Sequence, residues 1–176
     1  MAMMTLHYAI AACSLGRVLI AANHRGLCAL LLGDDDDALI ADLAARFPRA
    51  HLIADGDAVA SMMSAARALV DGAPVVAAPP LEPVGTEFQK LVWHALGAIP
   101  AGKTVTYGHL AQAIGRPSAT RAVAQACGAN PIAIAIPCHR VVRSDGALAG
   151  YRWGIERKRE LLRRERLARP GDALSL

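Results

Sequence analysis

Residues 73–85 read APVVAAPPLEPVG, and their four prolines can neither continue a helix nor sit in a central strand. The segment reads as an extended connection, so the chain on each side of it must build a core of its own. Residues 1–78 are expected to form an N-terminal α/β support domain, 79–84 a linker and 85–170 a second domain. Material for two cores is present, because 54% of the 176 residues are apolar and 19% are charged, which excludes a disordered or fibrous chain. No stretch approaches the ~20 uninterrupted apolar residues of a membrane helix. The start, MAMMTLHYAI, has neither the basic region nor the small-residue cleavage site of a secretory signal. A cytoplasmic chain with four reduced cysteines and no membrane partner is the expectation.

The formal net charge of +4 conceals a division. Residues 1–100 carry six Lys/Arg against ten Asp/Glu, and residues 101–176 carry thirteen against five, so the two parts stand at −4 and +8. A basic half suits a polyanion such as nucleic acid, and a solvated basic helix would give the same count. Charge alone leaves both readings open.

In the N-terminal half, residues 5–12, 17–22 and 27–32 are apolar runs separated by Gly16, the Asn23–Gly26 turn and Gly33. That pattern predicts a small antiparallel sheet. Asp34 to Asp37 then lead into a helix over 38–46, where carboxylates complement the positive helix end. A second helix covers about 57–71 and stops at Gly72.

In the C-terminal half, Thr86 opens a helix with Phe88, Leu91, Val92, Ala95 and Leu96 on one face. Thr106 caps a short helix through Ile114, Gly115 stops it, and Pro117 begins another that runs to about Cys127. Two short helices around a glycine turn form a helix-turn-helix. Ala119, Ala122 and Ala126 give the second helix a face of little bulk that can approach another surface closely. Residues 132–136, IAIAI, alternate as a strand, and Val141–Val142 with Ala147–Leu148 flank Ser144-Asp145-Gly146 as a hairpin wing. The last helix runs from Ile155 to about Arg169, with Leu161 and Leu162 inward and Glu165 three and four positions on, toward the same side.

Between the expected strand and the wing lies Pro137-Cys138-His139-Arg140. A thiol is mostly protonated at neutral pH, so a nucleophilic cysteine needs a base or a positive charge beside it. His139 and Arg140 are candidates for both, and Pro137 ends the strand and presents Cys138 at a turn. Adjacency alone does not make a catalytic pair, because neighbouring side chains on an extended chain point to opposite faces. Cys13, Cys28 and Cys127 form no C-x₂-C pair, so no metal is expected and these three read as small buried hydrophobes.

Taken together, IPCHRVV, Asn130 eight residues before the cysteine, GYRWG, IPAGKTVTYGHLA, RAVAQACGAN and LLRRE resemble the O6-alkylguanine-DNA alkyltransferases. These are also called methylated-DNA–protein-cysteine methyltransferases. HYAIAACSLGRVLIA and CALLLGDDD extend the resemblance through the N-terminal part, so it covers essentially the whole chain. It looks most similar to the alkyltransferase half of the bacterial adaptive-response regulator. The resemblance implies an α/β chain of two subdomains. The first is a small antiparallel sheet with helices, ribonuclease H-like, and the second is a winged helix-turn-helix.

The same resemblance implies DNA repair by direct reversal. Cys138 takes the alkyl group of O6-alkylguanine in double-stranded DNA irreversibly, in one turnover and without a cofactor; use of O4-methylthymine is left open. His139 corresponds to the base acting on Cys138 through a water, Glu165 to the acid that orients it, and Tyr107 to the tyrosine that assists the leaving base. Arg121 corresponds to the arginine that enters the stack when the nucleotide is flipped out, with Ala119, Thr120, Ala122 and Arg140 on the DNA surface. Tyr151 lines the pocket, backbone groups of Val141 and Arg152 read the guanine edge, and Asn130 holds the turn before the active-site strand. A monomer is expected.

Two other classes compete: a non-enzymatic winged-helix DNA-binding regulator, or a fragment of an adaptive-response transcription factor, and a cysteine hydrolase. A pure binding module has no need of a nucleophile, a complete regulator would carry a cysteine-rich zinc domain, and a hydrolase would turn over many times.

Overall fold

The computed structural model describes residues 4–168. The first three residues, the expected helix end near Arg169 and the domain limit at 170 lie outside the described residues. The chain divides into two compact units: Met1–Gly85 with Pro131–Ala135, and Thr86–Asn130 with Ile136–Leu176, over the parts described.

In the first unit, strands β1 (Thr5–Cys13), β2 (Gly16–Asn23) and β3 (Gly26–Gly33) pair antiparallel in sequence order. A fourth strand, β4 (His51–Ala54), lies parallel to β1 and gives the order β3-β2-β1-β4. Sequence pattern did not reveal β4, since four residues are too few for an alternation to be read. Helix α1 (Asp36–Arg46) begins where the aspartates require: Asp35 caps it by accepting from the Ala38 N–H, and Asp36 receives a two-point contact from Arg17 at 2.6 and 2.7 Å. Helix α2 (Ala60–Asp71) starts three residues later than expected and ends on Gly72 in the left-handed region, φ +69°.

The proline segment is not a free linker. Leu27 N–H donates to the Pro80 carbonyl and Glu82 N–H donates back to the Leu27 carbonyl, both at 2.8 Å, so residues 80–82 run along the edge of β3. A proline suits that position because it offers a carbonyl and needs no partner for an N–H. Gly26 makes the approach possible: its φ is +157°, and a Cβ placed there would lie 2.3 Å from the Pro80 oxygen. Gly26→Ala should therefore lower stability by about 2 kcal/mol, from strain and the displaced Pro80 bond. Thermal denaturation checks this, and a variant melting with the parent would mean that the Pro80 segment shifts without cost.

Residues 131–135 were expected in the second domain as part of a strand over 132–136, and the structure corrects both points. Leu30 N–H donates to Pro131 O and Ala133 N–H donates to Leu30 O, each at 2.9 Å, which attaches the segment to β3 by a single bridge at Ile132. The chain then turns sharply: Ala135 N–H donates to Ala133 O around Ile134, whose φ is +68°. This is a γ-turn of the rare positive-φ kind, and a β-branched residue in that region is strained. Ile132, Ala133 and Ile134 are all buried, so the Ile/Ala alternation is one of size and does not mark two faces of a strand.

In the second unit, helix α3 (Glu87–Gly97) starts with a capping box, Thr86 accepting from Gln89 N–H and the Gln89 side chain accepting from Thr86 N–H. Its buried residues are Val92, Trp93 and Leu96, while Leu91, expected inward, is exposed. The Trp93 indole donates to the Ala126 carbonyl at 2.8 Å, which fixes the helix in this rotation. Strand β5 (Val105–Thr106) leads into α4 (Tyr107–Ala113), capped by Thr106 as expected. Gly115 turns the chain at φ +69°, and α5 (Thr120–Gly128) follows, beginning three residues after Pro117.

The helix-turn-helix is thus formed, but the expected wing is not a hairpin. Strand β6 (Val141–Val142) pairs parallel with β5, and Arg143 accepts from Gly146 and donates to Ala147 across the turn. Residues 147–148 are not a strand. Helix α6 (Ile155–Leu167) closes the unit, with Leu161 and Leu162 buried as its phase required. No described helix is long and apolar enough to cross a membrane.

Candidate active site

Pro137, with φ −82° and ψ 60°, is the centre of an inverse γ-turn in which Cys138 N–H donates to Ile136 O at 2.8 Å. From there Cys138–Arg140 form one 3₁₀ turn closed by the Val141 N–H on the Cys138 carbonyl. Successive side chains of such a turn are rotated by roughly 120°, so Cys138, His139 and Arg140 fan out instead of alternating between two faces. Both Cys138 and His139 are buried, His139 completely.

Glu165 is where the fan converges. Its carboxylate lies 2.7 Å from His139 Nε2 and accepts from Arg140 Nη2 at 2.8 Å, from Arg140 Nε at 3.1 Å and from the Gly102 N–H at 3.0 Å. Burial pushes this carboxyl upward, but the His139, Arg140 and Gly102 donors outweigh it and hold it at about 2. An ionised carboxylate only accepts, so the neutral imidazole must carry its proton on Nε2, leaving Nδ1 as the basic nitrogen. Nδ1 is buried with no partner among the described residues. Burial also lowers the pKa of His139, with Glu165 opposing and Arg140 and Lys158 adding to the depression, so the ring is neutral at physiological pH.

The thiol is held from the other side. Fully buried Asn130 donates from Nδ2 to Cys138 Sγ at 3.2 Å and to Ile136 O at 2.8 Å, so one amide bridges the end of α5 and the reactive turn. Burial raises Tyr107, the first residue of α4, to about 12, with the Cys127 and Cys138 thiols adding; it remains a proton donor at neutral pH. Tyr151 stacks edge-on against Trp153 with ring centroids 5.2 Å apart, and its hydroxyl is buried without a partner among the described residues. Burial raises its pKa well above the ordinary value.

Two sequence expectations change. Arg140 was placed on the DNA surface, but its side chain is 15% exposed, forked onto Glu165, and bonded through Nη1 to Ile99 O at 2.6 Å. The carboxylate has drawn it inward. The Val141 N–H is occupied by Cys138 O and its carbonyl accepts from Lys158 Nζ at 2.6 Å, which leaves one carbonyl lone pair for any further partner. Lys158 itself was missed. Its ammonium is completely buried on Val141 O and Ala149 O, burial lowers its pKa, and Cys138 and Cys127 act against that shift. The helix phase that put Glu165 inward puts Lys158 inward too, two turns earlier.

On α5, Thr120 and Arg121 are exposed at its first turn, and Ala119 and Ala122 are half-buried beside them. Ala126 is buried and its carbonyl is taken by Trp93, so the small face is shorter than its spacing suggested. Arg152 is exposed. The basic look of α6 is largely internal: Arg159 pairs with Glu156, and Arg163 and Arg164 share Glu160 at 2.7 Å.

Residues 6–69 match the 6-O-methylguanine DNA methyltransferase ribonuclease-like domain, and residues 87–167 match the DNA binding domain of the same family. The Escherichia coli bifunctional transcriptional activator/DNA repair enzyme Ada is 52% identical over 167 residues, 92% of this chain and 46% of that protein. A methylated-DNA–protein-cysteine methyltransferase of Salmonella typhimurium is 57% identical over 81 residues, 46% of this chain and 47% of that protein. The chain spans about half the length of these curated relatives. Among solved structures, Mycobacterium tuberculosis OGT in complex with DNA superposes with TM-score 0.77 at 37% identity, covering 94% of this chain and 96% of that one. The chain belongs to the 6-O-methylguanine DNA methyltransferase family.

Proposed function

We propose that this chain repairs O6-alkylguanine in double-stranded DNA by moving the alkyl group to Cys138 in one irreversible turnover. The observation that carries this reading is the His139 Nε2–Glu165 bond of 2.7 Å, which leaves Nδ1 as the base in the residue next to a buried thiol. His139 takes the Cys138 proton, directly or through a water. The sulfur then attacks the alkyl carbon in line with the C–O6 bond; the S–C bond forms as C–O6 breaks, and the electron pair leaves on guanine. Tyr107 supplies a proton to the departing base. The product is a thioether, a poor leaving group, so nothing restores the thiol and no cofactor takes part. Lys158, buried near Cys138, favours the developing thiolate.

The alkyl carbon is inaccessible in a paired stack, so the nucleotide must be turned out. Arg121, long, planar and exposed at the start of α5, fills the space left behind, and the small side chains of Ala119 and Ala122 let the helix approach the groove. Thr120 lies at the DNA surface with them, Tyr151 lines the pocket, and Val141 and Arg152 contact the guanine edge. The protein acts as a monomer in the cytoplasm.

The test is to incubate the protein with a duplex containing O6-methylguanine and to count lesions repaired per chain. One per chain is expected; many would mean a hydrolase, and binding without repair a regulator. Arg121→Ala should slow repair in duplex about 100-fold or more while leaving transfer from the same lesion in a short single strand within a few-fold. Equal losses on both substrates would remove Arg121 from flipping.

A further inference from the structure

The Arg140 guanidinium is only 15% exposed, and three of its nitrogens are bonded within the site. Nε and Nη2 both engage the Glu165 carboxylate, and Nη1 is anchored on the Ile99 carbonyl at 2.6 Å. The anchor fixes the plane of the fork, and the fork together with the Gly102 N–H fixes the carboxylate. His139 is bonded to this same carboxylate and to nothing else among the described hydrogen bonds.

We propose that Arg140 is a positioning residue: it holds Glu165 against His139 Nε2, so that Nδ1 stays the basic nitrogen, and its charge sets the pH above which Cys138 reacts. The inference rests on the reading of Cys138 as alkyl acceptor with His139 as its base. The charged and titratable groups around the imidazole are Glu165 and Lys158 from α6 and Arg140 from the turn itself, and Cys138 precedes it in that turn. Tyr151 belongs to the same site, where Cys138, Arg157 and Glu165 act on its hydroxyl. Glu165 favours imidazolium, while Arg140 and Lys158 oppose it. Removing the Arg140 charge leaves burial and Lys158 against Glu165, and His139 becomes easier to protonate. The base is then neutral only at higher pH.

In Arg140→Gln, which loses both the charge and the fork, the acid limb of the pH profile for Cys138 alkylation should move up by about one pH unit, and the alkaline plateau should fall as well. Arg140→Lys keeps the charge but loses the fork, so its limb should stay where the wild-type limb lies while its plateau falls. Two reagents are followed on Cys138 by peptide mass: a duplex containing O6-methylguanine, and iodoacetamide, which needs no DNA. A limb unmoved in Arg140→Gln, or moved equally in both variants, overturns the proposal and makes Arg140 a packing residue only. If Arg140→Gln does not fold, a displaced limb in Arg140→Lys overturns it on its own. If the wild-type protein takes no methyl from DNA, the functional reading fails, while the iodoacetamide profiles still decide the role of Arg140.

Discussion

Cys138→Ala is expected to take no alkyl group from O6-methylguanine at all, while still binding the duplex that carries it. Intact-protein mass spectrometry should show the wild-type chain gaining one methylene, with the modified peptide containing Cys138, and the variant unchanged at the same lesion concentration. Completeness of the loss follows from the proposed chemistry, in which the thiol would be reagent as well as catalyst, while alanine offers no atom to receive the carbon. Cys28 and Cys127 are poor substitutes for it. Burial raises Cys28 to about 11 and Cys127 to about 12, so their thiolates are scarce at neutral pH. Methyl found on Cys127, or repair persisting in the variant, would overturn the assignment of the acceptor.

The second large effect belongs to Glu165→Gln. The wild-type carboxylate receives His139, two nitrogens of Arg140 and the Gly102 N–H, and a neutral amide leaves the 15% exposed guanidinium without its counter-charge. Breaking a pair buried to this degree costs about 3 kcal/mol, read as a lower urea midpoint. The pH dependence has a definite sign. The folded pKa of about 2 lies below the ordinary 4.5, so the contribution of Glu165 is fully present above pH 4.5 and is lost as pH falls toward 2. That acid-induced loss, on the order of 3 kcal/mol in the wild type, should be largely missing in the variant. Alkyl transfer should fall about 100-fold, because the imidazole loses both its orientation and the group that raises its basicity. Its acid limb should move down in pH, opposite to Arg140→Gln. An unchanged rate would mean that His139 needs no acid behind it.

What could be read from the sequence was local punctuation and helix phase. Thr86, Thr106, the Asp34–Asp37 run, Gly72 and Gly115 each stand at a helix end that the structure retains, because caps and left-handed stops depend on a few adjacent residues. The inward direction of Glu165 followed from its spacing to Leu161 and Leu162. The misreadings arose where partners distant in sequence decide the outcome. IAIAI looked like a strand, but bonds to Leu30 and two γ-turns take up its backbone. Arg140 looked like a DNA contact because nothing nearby in sequence shows a carboxylate twenty-five residues on. Pro117 looked like a helix start, but two more residues pass before α5 begins at Thr120.

The attachment of residues 131–135 to β3 has a kinetic consequence. Leu30 and Ile132 are brought together across about a hundred intervening residues, and closing so long a loop is entropically costly until both flanking structures exist. The helix-turn-helix contacts are mostly local and can form early. The turn presenting Cys138 follows directly on the segment that pairs with Leu30, so its final geometry waits for that long-range closure. Competence to accept an alkyl group should thus appear as a late event in folding, after helix content has recovered. A sharp cut at Gly85 would also strip Pro131 and Ala133 of their backbone partners.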